Sequence, residues 1–235
     1  MEPAFTPAAP PRLYALVPCA GVGARAGTPG PKQHALLGDR SVLAHTLAAL
    51  AGVSRIDSVL VLTAPGDRLT AAHCAASGAS VADCGGITRA ATVRGGLQAL
   101  LDRGARPHDW ALVHDAARCL VRAAWIDALI DACLDDAVGG LLALPLADTL
   151  KSEHRSRVAA TIDRNAKWQA QTPQMFRVGM LCSALDRAGP TMTDESSAIE
   201  ALGHAPRLVA CSIENFKVTW PADLDLAERL LRTRA

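Results

Sequence analysis

Short apolar runs alternate with segments of helical periodicity along almost the whole chain. Strands are predicted at 13–17, 58–63, 80–83, 111–114, 141–146 and 207–211, and helices at 43–50, 67–77, 89–101, 126–134, 178–188, 193–202 and from 221 onward. Strands joined by crossover helices run parallel, and a parallel sheet is covered on both faces. The sequence therefore predicts an α/β fold, a Rossmann-like three-layer arrangement with a mostly parallel sheet between helices.

The alternation breaks between 148 and 163, where polar residues precede a β-branched stretch. A projecting β-hairpin arm is predicted there. Because such an arm has little core of its own, it needs a partner surface, and we expect a homodimer formed through it. The proline-containing segment 171–174 is predicted to be a turn. The 235 residues are expected to form a single domain with a flexible tail at 1–11 and no further domain after the last helix.

Composition and charge argue against several classes of protein. The formal net charge is +1, so no overall field favours nucleic acid or an anionic membrane. No apolar run reaches the length of a membrane span, and the first residues lack the layout of a signal peptide. The seven cysteines form no CxxC pair, which is typical of reduced thiols. The expected location is the cytoplasm.

The segment from Pro18 to His34 follows the first predicted strand and contains four glycines, three prolines, Arg25 and Lys32. Glycines allow backbone N–H groups to approach an anion closely, and the two cations would add full positive charge. The segment contains no Walker GxxxxGK[ST] motif. The residues alone favour a phosphate-binding loop over an ordinary surface loop.

Four polar clusters follow predicted strands: the glycine-rich loop, 84–86 with Arg89, 114–118, and 148–151. Because ligands in parallel sheets bind beyond the carboxyl ends of the strands, the four clusters are expected to converge on one cleft. Asp115 could bind a sugar hydroxyl or magnesium there, or could simply cap the next helix. His114 and Asp115 should point to opposite faces of their strand, which disfavours a catalytic dyad. Cysteine and histidine spacings predict no zinc site.

Seven blocks occur in order between Leu13 and Leu231: PCAGVGARAGTPGPKQ, CGGITRAATV, VHDAAR, ADTLK, IDRNAKWQAQTPQMF, TDESSAIEALG and NFKVTWPADL. Together they resemble the 2-C-methyl-D-erythritol 4-phosphate cytidylyltransferases, nucleotidyltransferases of the non-mevalonate isoprenoid pathway. The resemblance implies transfer of CMP from CTP to 2-C-methyl-D-erythritol 4-phosphate by direct in-line attack, with release of pyrophosphate. It also implies Mg²⁺ or another divalent cation as cofactor, and a homodimer.

The resemblance further implies a role for each matching residue. It implies that the catalytic cations are Arg25, Lys32 and Lys217. It implies that the nucleotide contacts Cys19, Ala20, Gly21, Gly23, Gly86, Arg89 and Thr92. It implies that the acceptor contacts Asp115, Arg118, Thr149, Arg164, Thr172 and Thr193, with Thr149 and Arg164 reaching across the dimer. Magnesium is expected mainly on the CTP phosphates, with Asp115 as a candidate ligand.

Three positions depart from the family pattern. Cys19 stands where alanine is frequent, Cys119 where proline is frequent, and Ile87 where an acidic residue often follows the two glycines. Isoleucine at position 87 removes a possible polar contact with the nucleotide, which leaves the selectivity for the base of the nucleotide open. Two alternatives stay open: a cytidylyltransferase for another polyol phosphate such as ribitol 5-phosphate, and a non-catalytic nucleotide-binding module.

Overall fold

The computed structural model describes residues 10–21, 30–187 and 192–234. Its strands are β1 (Leu13–Pro18), β2 (Leu36–Leu37), β3 (Arg40–Ser41), β4 (Ser58–Leu62), β5 (Ser80–Ala82), β6 (Trp110–Val113), β7 (Gly139–Pro145), β8 (Leu150–His154), β9 (Arg157–Ile162), β10 (Trp168–Arg177) and β11 (Arg207–Ala210). Its helices are α1 (Val42–Ala51), α2 (Arg68–Ala75), α3 (Arg89–Asp102), α4 (Ala123–Cys133), α5 (Val178–Arg187), α6 (Glu195–Ala201) and α7 (Pro221–Arg232).

A seven-stranded sheet forms the middle layer, in the order β11-β7-β10-β6-β1-β4-β5. The β1–β4, β1–β6, β4–β5 and β7–β11 pairs are parallel, and β10 runs antiparallel to both of its neighbours. This arrangement confirms the predicted α/β fold with a mostly parallel sheet. The predicted strands and helices match the observed ones to within a few residues.

Two hydrophobic cores, one on each face of the sheet, follow from the alternation of side chains along β1. Leu13, Ala15 and Val17 pack into a core that includes residues of α1 and α4. Tyr14 and Leu16 pack into a second core with residues of α3, α5 and α6. A strand that is buried on both sides has a nearly continuous apolar sequence, which explains why LYALV contains no charged residue.

The prediction of a turn at 171–174 was wrong, because these residues lie in the middle of β10 and are buried. The pairing with β7 shifts between Ala170 and Gln174, so that Pro173 lies in a bulge. A proline in a bulge removes no hydrogen bond from the ladder, since its missing N–H would have had no partner there. Local turn propensity was therefore overridden by burial in the sheet.

The predicted hairpin is present as a separate two-stranded sheet, in which β8 pairs antiparallel with β9. Every residue of β9 is exposed, and apolar side chains are exposed on both strands and just beyond them, at Leu150, Val158, Ile162 and Trp168. The role of the arm in dimerisation remains a prediction. Within the described residues, no helix combines the length and the apolar character that crossing a membrane requires.

Candidate active site

A cavity of about 420 Å³ opens beside the carboxyl ends of β1, β5 and β6. It is lined by residues 18–21, Lys32, Gln33, 86–89, Thr92, 115–117 and Lys217. Three of the four polar clusters thus converge as expected from a parallel sheet. The fourth does not: residues 148–151 lie exposed at the base of the hairpin, because β10 lies between β7 and the strands that frame the cavity.

Asp115 lies between three cations at the floor of the cavity. Its Oδ1 accepts a hydrogen bond from Arg89 Nε at 3.0 Å, and its Oδ2 lies 2.8 Å from Lys217 Nζ and 3.8 Å from Arg118 Nε. The side chain is only 10% exposed. Burial opposes ionisation of the carboxyl, but the adjacent Arg89 and Lys217 outweigh it and hold the pKa of Asp115 well below its usual range. Asp115 is therefore a carboxylate whose charge is shared among cations.

Arg89 is held from behind by Glu195, a residue for which the sequence analysis found no role. Nη1 and Nη2 of Arg89 donate to the two carboxylate oxygens of Glu195 at 2.6 and 3.0 Å. Glu195 is 1% exposed and begins α6, where Asp194 caps the helix. Burial raises the pKa of Glu195, and Arg89 opposes that shift. Arg89 thus joins Glu195 to Asp115, a contact between distant segments that no local pattern reveals.

Lys32 begins a short 3-10 turn, Lys32–His34, directly after Pro31. Its Nζ donates to the carbonyl oxygen of Val218 at 2.7 Å, which ties the glycine-rich loop to the segment that carries Lys217. The adjacent Gln33 is buried, and its Nε2 donates to the carbonyl oxygens of Cys19 and Gly21 at 3.1 and 3.0 Å. Gln33 therefore fixes the start of the loop, a function that the sequence analysis did not assign.

The segment 84–86 reaches the cavity because its glycines permit close approach. A Cβ added at Gly85 would lie 2.6 Å from Cβ of Ala20 and 2.7 Å from the carbonyl oxygen of Thr63. The N–H of Gly86 donates to Oγ1 of Thr92 at 3.0 Å. Thr92, on α3, thereby orients the glycine backbone on one wall of the cavity, with the fully exposed Ile87 beside it.

His114 is a buried core residue with both ring nitrogens hydrogen-bonded. Nε2 lies 3.2 Å from the carbonyl oxygen of Arg118, which can only accept, and Nδ1 lies 3.1 Å from Oγ1 of Thr172. The Thr172 hydroxyl in turn accepts from the N–H of Asp115 at 3.0 Å. A neutral imidazole satisfies this chain, and burial lowers the pKa of His114 to about 4. Thr172 is itself buried, and its hydroxyl holds the backbone N–H of Asp115 in place.

The remaining predicted residues are dispersed. Arg118 does not line the cavity but donates from Nη1 to the carbonyl oxygen of Asn215 at 2.7 Å. Thr149 and Arg164 are exposed at the base of the arm, where Arg164 Nη1 donates to the carbonyl oxygen of Ala147. Thr193 lines a second cavity, of about 390 Å³, which also contacts Arg89. The predictions for Gly23 and Arg25 lie outside the described residues.

The cysteines and the metal prediction can be placed in the same way. All seven cysteines are free thiols. Burial raises the pKa of Cys19 to about 12, so the loop-entry residue presents an unreactive thiol and its backbone. Among the described residues, no three His, Cys, Asp or Glu side chains form a group that could hold a metal ion. Of the described residues that line the cavity, Asp115 alone carries a carboxylate.

Comparison with known proteins gives a consistent result. A family model described as 2-C-methyl-D-erythritol 4-phosphate cytidylyltransferase matches residues 13–233. Proteins of that name from Paraburkholderia phymatum and Bordetella pertussis are 51% and 53% identical, covering 94% and 93% of this chain and 96% and 98% of theirs. A bifunctional enzyme IspD/IspF from Albidiferax ferrireducens is 59% identical over 96% of this chain, which spans 54% of that longer protein.

Solved structures agree. A crystal structure of 4-diphosphocytidyl-2C-methyl-D-erythritol synthase superposes with a TM-score of 0.84 at 39% identity, over 94% of this chain and 98% of that one. The Francisella tularensis 2-C-methyl-D-erythritol 4-phosphate cytidylyltransferase superposes with a TM-score of 0.80 at 31% identity, over 93% and 99% of the two chains.

Proposed function

The chain belongs to the 2-C-methyl-D-erythritol 4-phosphate cytidylyltransferase family, and we propose that the cavity around Asp115 is where it transfers CMP from CTP to 2-C-methyl-D-erythritol 4-phosphate. One observation carries this assignment to the cavity. Lys32, Lys217 and Arg89 line a single concave site at the carboxyl edge of the sheet, with one ionised carboxylate, Asp115, among them. Such a site is suited to two phosphorylated substrates and to the hydroxyl groups of a polyol.

The reaction needs charge stabilisation more than proton transfer. The acceptor phosphate is already an anion at pH 7, so it can attack the α-phosphate of CTP without a general base. The imidazole of His114 is bonded on both sides and buried, and it does not line the cavity. The barrier comes from bringing two anions together, which fixed cations offset best in a site that excludes water.

The two lysines are placed to supply that charge. Lys32 and Lys217 both line the cavity, and the bond from Lys32 Nζ to the Val218 carbonyl fixes their segments relative to each other. Lysine ammonium groups so placed would neutralise the triphosphate and stabilise the charge that develops in the transition state. Arg25, in the same loop, is proposed to add a third cation, and the backbone of Ala20 and Gly21 to bind phosphate oxygens.

The described residues fit a divalent metal ion only as a partner of CTP. No three-ligand group is present among them, and the carboxylate of Asp115 is already shared by Arg89 and Lys217. Mg²⁺ commonly takes its ligands from phosphate oxygens and water, with one or two carboxylates at most. We therefore propose Mg²⁺ held mainly by the triphosphate, where it would withdraw charge from the phosphate oxygens, with Asp115 as its one protein candidate.

The acceptor is proposed to lie over Asp115, with its phosphate toward Lys217. Thr172 and Arg118 would act beneath it by orienting the Asp115 backbone and the Lys217 segment. Thr149 and Arg164 lie at the arm and not at this chain's cavity, so they are proposed to serve the site of a second protomer. The exposed apolar side chains of the arm, including Val158 at 66% exposure, support a homodimer formed through it.

Pyrophosphate release from the purified protein with CTP, Mg²⁺ and 2-C-methyl-D-erythritol 4-phosphate tests the assignment. Parallel reactions would contain ribitol 5-phosphate as acceptor, or ATP, GTP or UTP as donor. Release only with CTP and the methylerythritol phosphate is expected, and it would show that Ile87 is compatible with selection of cytosine. Turnover with ribitol 5-phosphate instead, or no turnover with any pair, would contradict the proposal.

A further inference from the structure

Glu195 is an acidic side chain buried at 1% exposure and placed outside the cavity that the substrates are proposed to occupy. A carboxylate at this depth is costly unless it is fully paired. Its partner is Arg89, which uses both terminal nitrogens of the guanidinium on Glu195. The helix cap does not account for it, because Asp194 and Ser197 supply the capping bonds of α6.

Because both terminal nitrogens of Arg89 bond Glu195, only Nε of Arg89 faces the cavity floor. That nitrogen donates to Oδ1 of Asp115, so Oδ2 is left to Lys217 at 2.8 Å and to the more distant Arg118 at 3.8 Å. Arginine presents its donors in a rigid plane, so the direction of Nε is set once the terminal nitrogens are fixed. Charges therefore alternate along one line, from Glu195 through Arg89 and Asp115 to Lys217.

We propose that Glu195 is a positioning residue for cytidylyl transfer: by holding the far side of Arg89, it fixes the plane of the Asp115 carboxylate against which the acceptor and Lys217 are aligned. The inference rests on the proposed role of Asp115 at the acceptor. Without the paired hydrogen bonds to Glu195, Arg89 can turn its terminal nitrogens toward Asp115 and compete with Lys217 for Oδ2 of that carboxylate. Acceptor binding should then weaken, while the contacts of the nucleotide with 18–21 and Gly86 are unaffected.

The test compares Glu195→Gln, which keeps the volume but removes the charge, with Glu200→Gln, the same change at an exposed position of α6. Steady-state kinetics would give kcat and both KM values, and calorimetry would give the dissociation constant of 2-C-methyl-D-erythritol 4-phosphate without turnover. For Glu195→Gln we expect the acceptor KM and dissociation constant to rise about tenfold and the CTP KM to change less than about twofold. Glu200→Gln should match the wild type. Glu195→Asp, which retains the charge, should recover part of the loss.

A double-mutant cycle with Arg89→Lys separates positioning from a merely structural role. Lysine presents one nitrogen and cannot reach both carboxylates as arginine does, so Arg89→Lys should itself weaken acceptor binding. Adding Glu195→Gln to Arg89→Lys should then change the acceptor constants by less than about twofold. Additive effects would overturn the proposal. So would unchanged acceptor constants, or equal loss for both substrates, in a Glu195→Gln protein whose thermal unfolding is cooperative. Wild-type turnover in the same series tests the assigned reaction separately from this inference.

Discussion

Lys217 Nζ lies 2.8 Å from Asp115 Oδ2, so a cation proposed for the phosphates rests on the carboxylate proposed for the acceptor. The residue after Lys217, Val218, accepts a hydrogen bond from Lys32 through its carbonyl oxygen. Asp115 and Lys217 therefore form a salt bridge in the cavity, and Lys32 is tied to the same segment through the backbone of Val218. Substrate phosphates that approach Lys217 must compete with Asp115 for its ammonium group, which links the binding of one substrate to the environment of the other.

Replacing Lys32 should slow the chemical step. Lys32→Ala removes an ammonium group from the cavity and also the bond to Val218 that anchors the Lys217 segment. Loss of a fixed cation that acts on transition-state charge typically lowers kcat about 10²–10³-fold. Single-turnover measurements of pyrophosphate release at saturating CTP would check this. Unchanged kcat, or a rise in KM alone, would contradict the charge role.

Asp115→Asn should act mainly on the acceptor. The amide keeps the size of the side chain but removes the negative charge that holds Arg89 and Lys217 together. We expect the KM for 2-C-methyl-D-erythritol 4-phosphate to rise about tenfold, with a smaller change for CTP. Loss of one partner from a buried ion cluster should also lower the free energy of unfolding by about 3 kcal/mol. Asp127→Asn, which breaks a half-exposed pair with Arg55, is the matched control and should leave both KM values unchanged.

Acid should destabilise the protein partly through His114. Burial lowers the pKa of His114 to about 4 from 6.5, so between these values the unfolded chain binds a proton that the folded chain does not. Stability from this group is present above pH 6.5 and is lost as the pH falls toward 4. At about 1.4 kcal/mol per pKa unit the full loss is about 3 kcal/mol. Urea unfolding between pH 4 and 7 should show a weaker pH dependence for His114→Gln than for the wild type; equal slopes would refute the assignment.

Gly85→Ala should damage the nucleotide side of the cavity. The added methyl would lie 2.6 Å from Cβ of Ala20 and 2.7 Å from the Thr63 carbonyl oxygen, so the loop entry must move. We expect the KM for CTP to rise about fivefold and the melting temperature to fall. Gly52→Ala is the control, because its Cβ would meet only ordinary contacts at 3.4 Å or more and its φ is −73°. Equal behaviour of the two variants would argue against the close approach.

Mixing two inactive variants tests the arm. If Arg164 serves the site of the partner, a dimer of one Lys32→Ala protomer and one Arg164→Ala protomer contains one complete site. Subunits mixed in equal amounts and allowed to exchange should then regain about a quarter of wild-type activity, since half of the dimers are mixed and half of their sites are complete. Failure to recover activity, with exchange verified by mass, would place Arg164 in its own protomer's site or outside the reaction.

Much of the fold was predictable because buried parallel strands are continuous apolar runs. The apolar runs LYALV and SVLVL predict β1 and β4, and the parallel pairing of these two strands follows from the crossover through α1. The prediction of a turn at 171–174 failed because the local sequence Thr-Pro-Gln favours a turn. Only the tertiary context shows that Pro173 occupies a bulge in a strand.

The site was predictable where function depends on residues next to a strand end, and not where it depends on pairs that are distant in sequence. Lys32, Gly86 and Asp115 follow strands and do line the cavity. Glu195 is separated from Arg89 by more than a hundred residues, and its neighbours Asp194 and Ser197 give a capping pattern that explains the segment without it. The role of Gln33 could likewise not be predicted, because its partners are backbone carbonyl oxygens and no sequence motif marks such a contact.

Strand β10 connects the hairpin directly to the floor of the active site. Its ten residues begin at Trp168, beside the base of the arm, and end at Arg177, opposite Trp110 at the start of β6. Midway along the strand, the Thr172 hydroxyl accepts the hydrogen bond from the Asp115 amide. The chain runs without interruption from the arm through Trp168 to Thr172, so the hydrogen bond that holds the Asp115 amide lies in the same strand that leaves the hairpin. A displacement of the hairpin would therefore be carried along the backbone of β10 to the position of Asp115.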